Sequence, residues 1–500
     1  MFENMVAVGD NNNEDKIIIS ISLLAGVSLL IFLHLMCLYV GALAIITALL
    51  ENAIVYYFLV SKKYKQALLY MCLFYTTSYS NTVFFGTSRG LETIYSIENI
   101  PLFHGYLMLL SFFFLFIIVC FPKKEQIRKN SNSLSIFAAY TILSGLVMGF
   151  LSILVNGFQY RAIISDINQC VVPTLMILIC LNAFNEDHFF SKKYFSLVIH
   201  IFISYIIIAW ITTSLGIYAD FVQTRDKVLM LPLPSFYMSC IILFIGLMKT
   251  YKDKAIIIVA FMSTIYFQLS FDSCMNGKSW MVFTASVLVG LYYLFKNIKH
   301  NFILYGTVIG AFAVFAIKLV PIVNSFISET ENLKLLEFVS IFEAADSGNL
   351  DDMDQSSRFR FVELINVSEQ YVEQPIFALP GRGYGGSIHS NGYFWDRSES
   401  GFTMDQYDSD KFYRLHESMN VIYLKFGIIG LLFFVLILFK LVKGIKYSPL
   451  CFVGFIWLLF FWGYENSLLF IGLPALVFGF LCVNNKFPST NYDGVDTTTK

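Results

Sequence analysis

From Ile17 to Val60 the chain runs for 44 residues with Glu51 as its only Asp, Glu, Lys or Arg. The hydrocarbon core of a bilayer is about 30 Å thick, and one helical crossing takes about 20 apolar residues. A stretch of this length is too long for one crossing and fits two, so it is read as a tight helical hairpin. Further apolar runs predict spans near 65–84, 104–121, 133–155, 163–184, 195–215, 229–249, 255–271, 279–295, 302–322, 420–440, 449–465 and 467–483. The runs are continuous rather than alternating, which excludes a closed β-barrel. Composition agrees: 57% of residues are apolar and 14% charged, against about 25% charged in a soluble domain, and the mean hydropathy is +0.66. The expected fold is therefore an all-α polytopic membrane protein of about fourteen transmembrane helices. Residues 1–322 would carry helices 1–11, residues 323–419 one large loop with an amphipathic helix, residues 420–484 helices 12–14, and residues 485–500 a tail. The first sixteen residues are polar and acidic and are not expected to form a cleaved signal peptide.

Orientation follows from lysine. Lys62, Lys63 and Lys65; Lys123, Lys124, Arg128 and Lys129; Lys192 and Lys193; Lys252 and Lys254; Lys296 and Lys299; and Lys440, Lys443 and Lys446 all fall on one side of these spans. The positive-inside rule makes that side cytoplasmic, with both termini, and places the loop from Asn324 to Asn420 outside. The nine cysteines lie mostly in apolar runs and the large loop has none, so no disulfide framework is implied. His34, His104, His188, His200 and His300 show no metal-ligand spacing, and neither a metal, another cofactor nor a nucleic-acid partner is expected. Glu51, Lys425 and Glu465 fall inside spans, where charge is costly and often functional.

Arginine is distributed differently from lysine. Of nine arginines only Arg128 is on the lysine side; Arg89, Arg161, Arg225, Arg358, Arg360, Arg382, Arg397 and Arg414 are on the other. The planar guanidinium grips phosphate or carboxylate bidentately, which a lysine cannot do. The set points to an anion site on the outer face, with Arg161 and Arg225 in short outer turns as candidates; the alternative pairs each arginine with the loop's own acids. Between Asn324 and Asn420 seventeen Asp and Glu face seven Lys and Arg, a balance of −10, so an anion would need the arginines gathered in one place. A helix is expected over 358–374, with Phe361, Leu364, Ile365 and Val372 as its apolar set and Ser356 and Ser357 as cap candidates. Arg358 and Arg360 then lie in its first turn, where positive charge opposes the helix dipole and a bound anion would relieve the conflict. Pro380-Gly-Arg382-Gly-Tyr-Gly-Gly386 follows, whose glycines would let backbone amides approach a ligand. Tyr393, Trp395 and the polar side chains around them suit stacking on sugars and equally suit an ordinary loop.

The loop ends on Arg414-Leu-His416-Glu417-Ser-Met-Asn420, and after His416 and Glu417 come nine residues and then Gly427-Ile-Ile-Gly430. This pattern resembles the O-antigen ligase/polymerase superfamily of lipid-linked polysaccharide enzymes, in which a histidine and a polar residue precede Gly-x-x-Gly at the start of the next span. Glu417 stands where that family usually has Asn, Ser or Gln. An arginine, an amphipathic helix, a proline and a Gly-x-Gly-x-Gly turn are matched by Arg358, Pro375 and Gly381, Gly383 and Gly385. The family's Ser-Arg-Gly turn between two spans is matched loosely by Asn276-Gly-Lys278-Ser-Trp. The many-span layout with one large loop is GT-C-like.

The resemblance implies transfer of an oligosaccharide from undecaprenyl diphosphate at the periplasmic face of the bacterial inner membrane. His416 would be the base, with Arg358 and Arg414 on the departing diphosphate. Arg161, Arg225, Lys278, Arg360, Arg382 and Glu417 would contribute to binding. The partners implied are the lipid-linked oligosaccharide, membrane lipids, a chain-length regulator and a flippase. A repeat-unit polymerase is preferred to a ligase that transfers chains to lipid A core, on the span count and Glu417. A flippase is the non-enzyme alternative; the large loop and the lack of an internal repeat argue against it.

Overall fold

The computed structural model describes residues 17–39, 41–79, 133–166, 170–185, 190–214, 243–270, 285–293, 349, 355–390, 402, 404–462 and 469–483. Every regular element among them is helical, and two isolated bridges pair Ile17 with Met248 and Ile388 with Phe412. The helices are α1 (Ile21–Tyr39), α2 (Gly41–Val60), α3 (Tyr64–Tyr79), α4 (Ser133–Asn156), α5 (Tyr160–Asp166), α6 (Val172–Asn185) and α7 (Phe190–Ser214). They continue with α8 (Tyr251–Ser270), α9 (Gln355–Glu373), α10 (Met404–Ser409), α11 (Ser418–Gly444), α12 (Leu450–Ile456) and α13 (Leu469–Val483). The long first run divides into α1 and α2, as its length requires.

Among the described residues three stretches are long and apolar enough to cross a membrane: Ser133–Asn156, Phe190–Ile208 and Ser418–Gly444. In α4 the exposed Leu143, Val147, Phe150 and Leu154, at 59–67%, share one face at helical spacing. The opposite face buries Thr141, Gly145, Met148, Gly149 and Ser152. A fully apolar outer face, with small and polar groups confined to the inner one, is the pattern of a helix solvated by lipid. The chain is an all-α membrane protein.

Helix α11 packs on α4, α12 and α13, and α6 packs on α4 and α13. The sense of α4 against α11 is fixed at both ends. Lys440 Nζ donates to Ser133 Oγ at 2.6 Å, and Lys411 Nζ, seven residues before α11, donates to the Asn156 carbonyl at 2.9 Å. The two helices are antiparallel, with Lys440, Lys443 and Lys446 at one end and His416 at the other.

Several expected spans are broken. The run 163–184 holds the end of α5 and, after residues 167–169, which lie outside the described residues, a π-helical lead-in at 170–171 to α6. The end of 229–249 is a 3-10 turn, Phe244–Leu247, followed by extended backbone that pairs with Ile17. The run 449–465 is α12 and then a π-helical turn, Trp457–Phe461. Helix α11 is kinked at Gly427, which has φ of 62° and ψ of −158°. The runs 104–121 and 302–322 lie outside the described residues. Hydropathy reports how deep a residue sits in lipid, not whether its backbone is continuous, so none of these breaks was visible in it.

Candidate active site

Helix α9 docks on α11 with a face different from the one its apolar residues suggested. Phe361 and Val372 are exposed, at 42% and 82%, whereas Phe359, Val362, Glu363, Asn366, Val367, Gln370 and Tyr371 are buried. Those buried positions recur at three- and four-residue spacing and form one stripe. Three of them are polar, and each of these needs partners once removed from water. Ser356 and Ser357 lie inside α9 rather than capping it, and Arg360 sits beyond its first turn.

Glu363 finds its partners at the start of α11. Its carboxylate accepts from the backbone N–H of His416 at 3.0 and 3.2 Å and from Asn420 Nδ2 at 2.9 Å. It also meets His416 Nδ1 at 2.5 Å. Glu363 is fully buried, and the His416 side chain is 23% exposed. A carboxylate only accepts, so the proton of the last bond sits on Nδ1 and the lone pair of the ring sits on Nε2. Asn420 Nδ2 donates also to the Arg360 carbonyl at 3.0 Å, joining α9 to α11 below the histidine. The ring is held on a third side by Phe402, edge-on at 4.7 Å.

The approach to His416 is ordered by its own backbone. The side-chain oxygen of Gln406, on α10, accepts from the N–H groups of Tyr413 and Arg414. Phe412 exchanges backbone hydrogen bonds with Ile388 and packs against Phe402 at 4.9 Å. Arg414 is therefore two residues from the histidine on a fixed strap, with an exposed side chain. Arg360 makes an ion pair with Glu417 at 2.6 Å. Glu417, the departure from the family pattern, thus acts on an arginine of α9, and for Arg360 the pairing with a loop acid is the arrangement found.

The glycine-rich turn is not an anion cradle. Its amides are all engaged within the protein. Gly381 donates to the carbonyl of Phe377, Arg382 to Leu424, Gly383 to Lys425, Tyr384 to Gly145 and Gly386 to Gly383. Gly385 N–H donates to Asp166 Oδ2 at 2.6 Å. The carbonyls that receive these bonds on α11 are left over by the kink at Gly427, and beyond the kink Ile428 and Ile429 donate back to Ala378 and Leu379. The turn is the splint of a broken helix. Gly383 has φ of 66°, and a Cβ there would overlap the Gly149 amide and the Gly145 carbonyl. Arg382 is buried with it: Nη1 donates to the Ser387 carbonyl at 2.9 Å, and its guanidinium lies 5.4 Å from the Phe377 ring. Arg382 is thus a packing residue of the turn, not a ligand-facing one.

Lys425 and Asp166 hold the turn in place. They form an ion pair at 2.6 Å with both side chains fully buried, and Lys425 Nζ also donates to the Gly386 carbonyl at 2.6 Å. Nearby, Tyr371 donates to the carbonyls of Tyr423 and Leu424.

Of the expected site residues, the structure brings His416, Glu417 and Arg360 together. Arg358 lies two residues before Arg360 on the same helix, and Arg414 two residues before His416. Arg161 is exposed on α5, with no described contact to His416. Arg225 and Lys278 lie outside the described residues. Glu363 and Asn420 were not singled out from sequence; the available signal was the polar series Glu363, Asn366 and Gln370 at helical spacing. Among the described residues no cluster of His, Cys, Asp and Glu could hold a metal ion. No family model matches the chain, and comparison with curated proteins finds no match.

Proposed function

We propose that this protein is a membrane glycosyltransferase that polymerises oligosaccharide repeat units carried on undecaprenyl diphosphate, at the periplasmic face of the bacterial inner membrane. The observation that carries the reading is the His416–Glu363 pair at the head of α11. A buried carboxylate on Nδ1 fixes the tautomer and orients the ring, so that Nε2 accepts a proton. Arg358, Arg360 and Arg414 lie on the two segments that meet there.

In the proposed reaction a sugar hydroxyl of the acceptor attacks the anomeric carbon of the donor. The new C–O bond forms as the anomeric bond to the diphosphate oxygen breaks. The hydroxyl proton passes to His416 Nε2, and undecaprenyl diphosphate departs with the bonding electrons. A positioned base supplies about 10²–10⁴-fold, and arginines facing the departing diphosphate stabilise the charge that develops on it. The donor arrives with its own leaving group, so the residues have only to orient, deprotonate and neutralise.

Fourteen spans, cytoplasmic termini and an outer position for His416 belong to this reading. They rest on the alternation of lysine clusters and on the placement of Lys440, Lys443 and Lys446 at the end of α11 opposite His416. Incubating the purified protein with an undecaprenyl-diphosphate-linked repeat, with and without lipid A core, tests it. The expected result is longer lipid-linked chains without lipid A core. Product only when lipid A core is added would assign a ligase. Transbilayer movement of an unextended repeat in vesicles would assign a flippase.

A further inference from the structure

We infer that Gln355–Gly386 is not an aqueous loop but a re-entrant element, with the edge formed by Ile376 and Leu379 immersed in the acyl chains of the bilayer. The depth comes from two helices independently. On α4 the turn contacts Gly145 and Gly149, eleven and seven residues from Asn156, which at 1.5 Å per residue is about 10–16 Å below that end. On α11 it bonds Ile428 and Ile429, and Ile428 is ten residues from Ser418, about 15 Å below the same end. Both measures put Ala378–Tyr384 well inside a hydrocarbon core about 30 Å thick.

Helix α9 leads down to it. Arg360 and Glu363 bond at the level of Asn420, and Tyr371 bonds at Tyr423 and Leu424. Over eleven residues of α9, about 16 Å, the contact descends only four residues along α11, about 6 Å, so α9 slopes gently from the interface.

Irregular backbone survives at such depth only where protein satisfies its polar groups. Here every amide from Gly381 to Gly386 is satisfied, and Ser144 donates to the Pro380 carbonyl at 2.9 Å. Past the last exposed acids of α9, Glu369 and Glu373, the large outward side chains of the turn are apolar: Ile376 is 65% exposed and Leu379 57%. They continue into Ile428 and Leu432, at 41% and 60%, on the lipid-facing side of α11. A surface of that chemistry, at that depth, and continuous with the face of a spanning helix, is matched by acyl chains. The inference rests on the membrane placement of α4 and α11 and is independent of the proposed reaction.

Photocrosslinking tests it in intact cells. Benzoylphenylalanine is placed at Leu379, at Ile376, and at exposed Asp408 as the aqueous control. The expected result is phospholipid adducts at 379 and 376 in protein that is otherwise intact by size-exclusion, and none at 408. Using two positions guards against one variant failing to fold. Adducts to protein alone, adducts to a polyprenyl chain alone, or lipid adducts equal at 379 and 408 would overturn it.

Discussion

At the scale of single residues, the proposed role of His416 as base, against that of a helix cap, turns on Glu363. A cap needs no buried carboxylate on its Nδ1, whereas a base that must present Nε2 does. Replacing Glu363 with Gln keeps the volume but lets an amide N–H compete for Nδ1. Expected is a fall in kcat of roughly 10²–10³-fold with KM within a few-fold, a stability loss of only about 1–3 kcal/mol from the amide donor left facing Asn420 or His416, and partial recovery in Glu363→Asp. Equal losses in kcat and in folded yield would make Glu363 a structural residue only. Arg358→Lys tests the second role. A point charge cannot reproduce a bidentate fork, so the variant should express normally and lose about 2–4 kcal/mol of transition-state stabilisation, read as kcat/KM on the lipid-linked repeat. Activity equal to the unaltered protein would remove Arg358 from the site.

At the scale of elements, what sequence could and could not show divides by physical cause. That the first apolar run is two helices, α1 and α2, was legible because helix length is set by bilayer thickness. The helix over 355–373 was legible too, but its buried face was not, because Glu363, Asn366 and Gln370 occupy inward positions that a hydrophobic pattern assigns outward. The kink at Gly427 was hidden inside an apolar run. The Lys425–Asp166 ion pair beside it spans 259 residues of sequence. The spacing of His416 to Gly427 drew attention to the histidine in the sequence, but nothing there pointed to its partner Glu363. The splint can be tested directly. Gly383→Ala must overlap α4 backbone and adopt φ of 66°, whereas Gly157→Ala at φ of 80° meets nothing within 4 Å. Overpacking costs about 1–3 kcal/mol beyond the left-handed strain of about 1–2 kcal/mol common to both. Heating in detergent followed by size-exclusion should show Gly383→Ala aggregating at clearly lower temperature than Gly157→Ala. Lys425→Met strands Asp166 in the core, a loss of about 3–5 kcal/mol. The double variant Lys425→Met/Asp166→Asn should regain part of it, since asparagine still accepts from Gly385. No recovery in the double variant would mean that the charge pairing is not what Lys425 contributes.

For the whole molecule, His416 stands just before the start of α11, where the proposed reaction needs a lipid-tethered sugar to reach it. The lysine-rich end of α11 lies at the opposite face, so a cysteine in residues 440–446 should resist a membrane-impermeant thiol reagent in intact cells while one at Asp408 reacts. Labelling from outside at 440–446 would invert the orientation. The claim that chain extension depends on His416 is tested most directly by one variant, His416→Ala, in cells, reading the lipid-linked pool and the surface polysaccharide ladder together. The account predicts that the single repeat is still made and exported and that the ladder collapses to one capped unit. Long chains persisting on the lipid carrier, or a normal ladder, would contradict it.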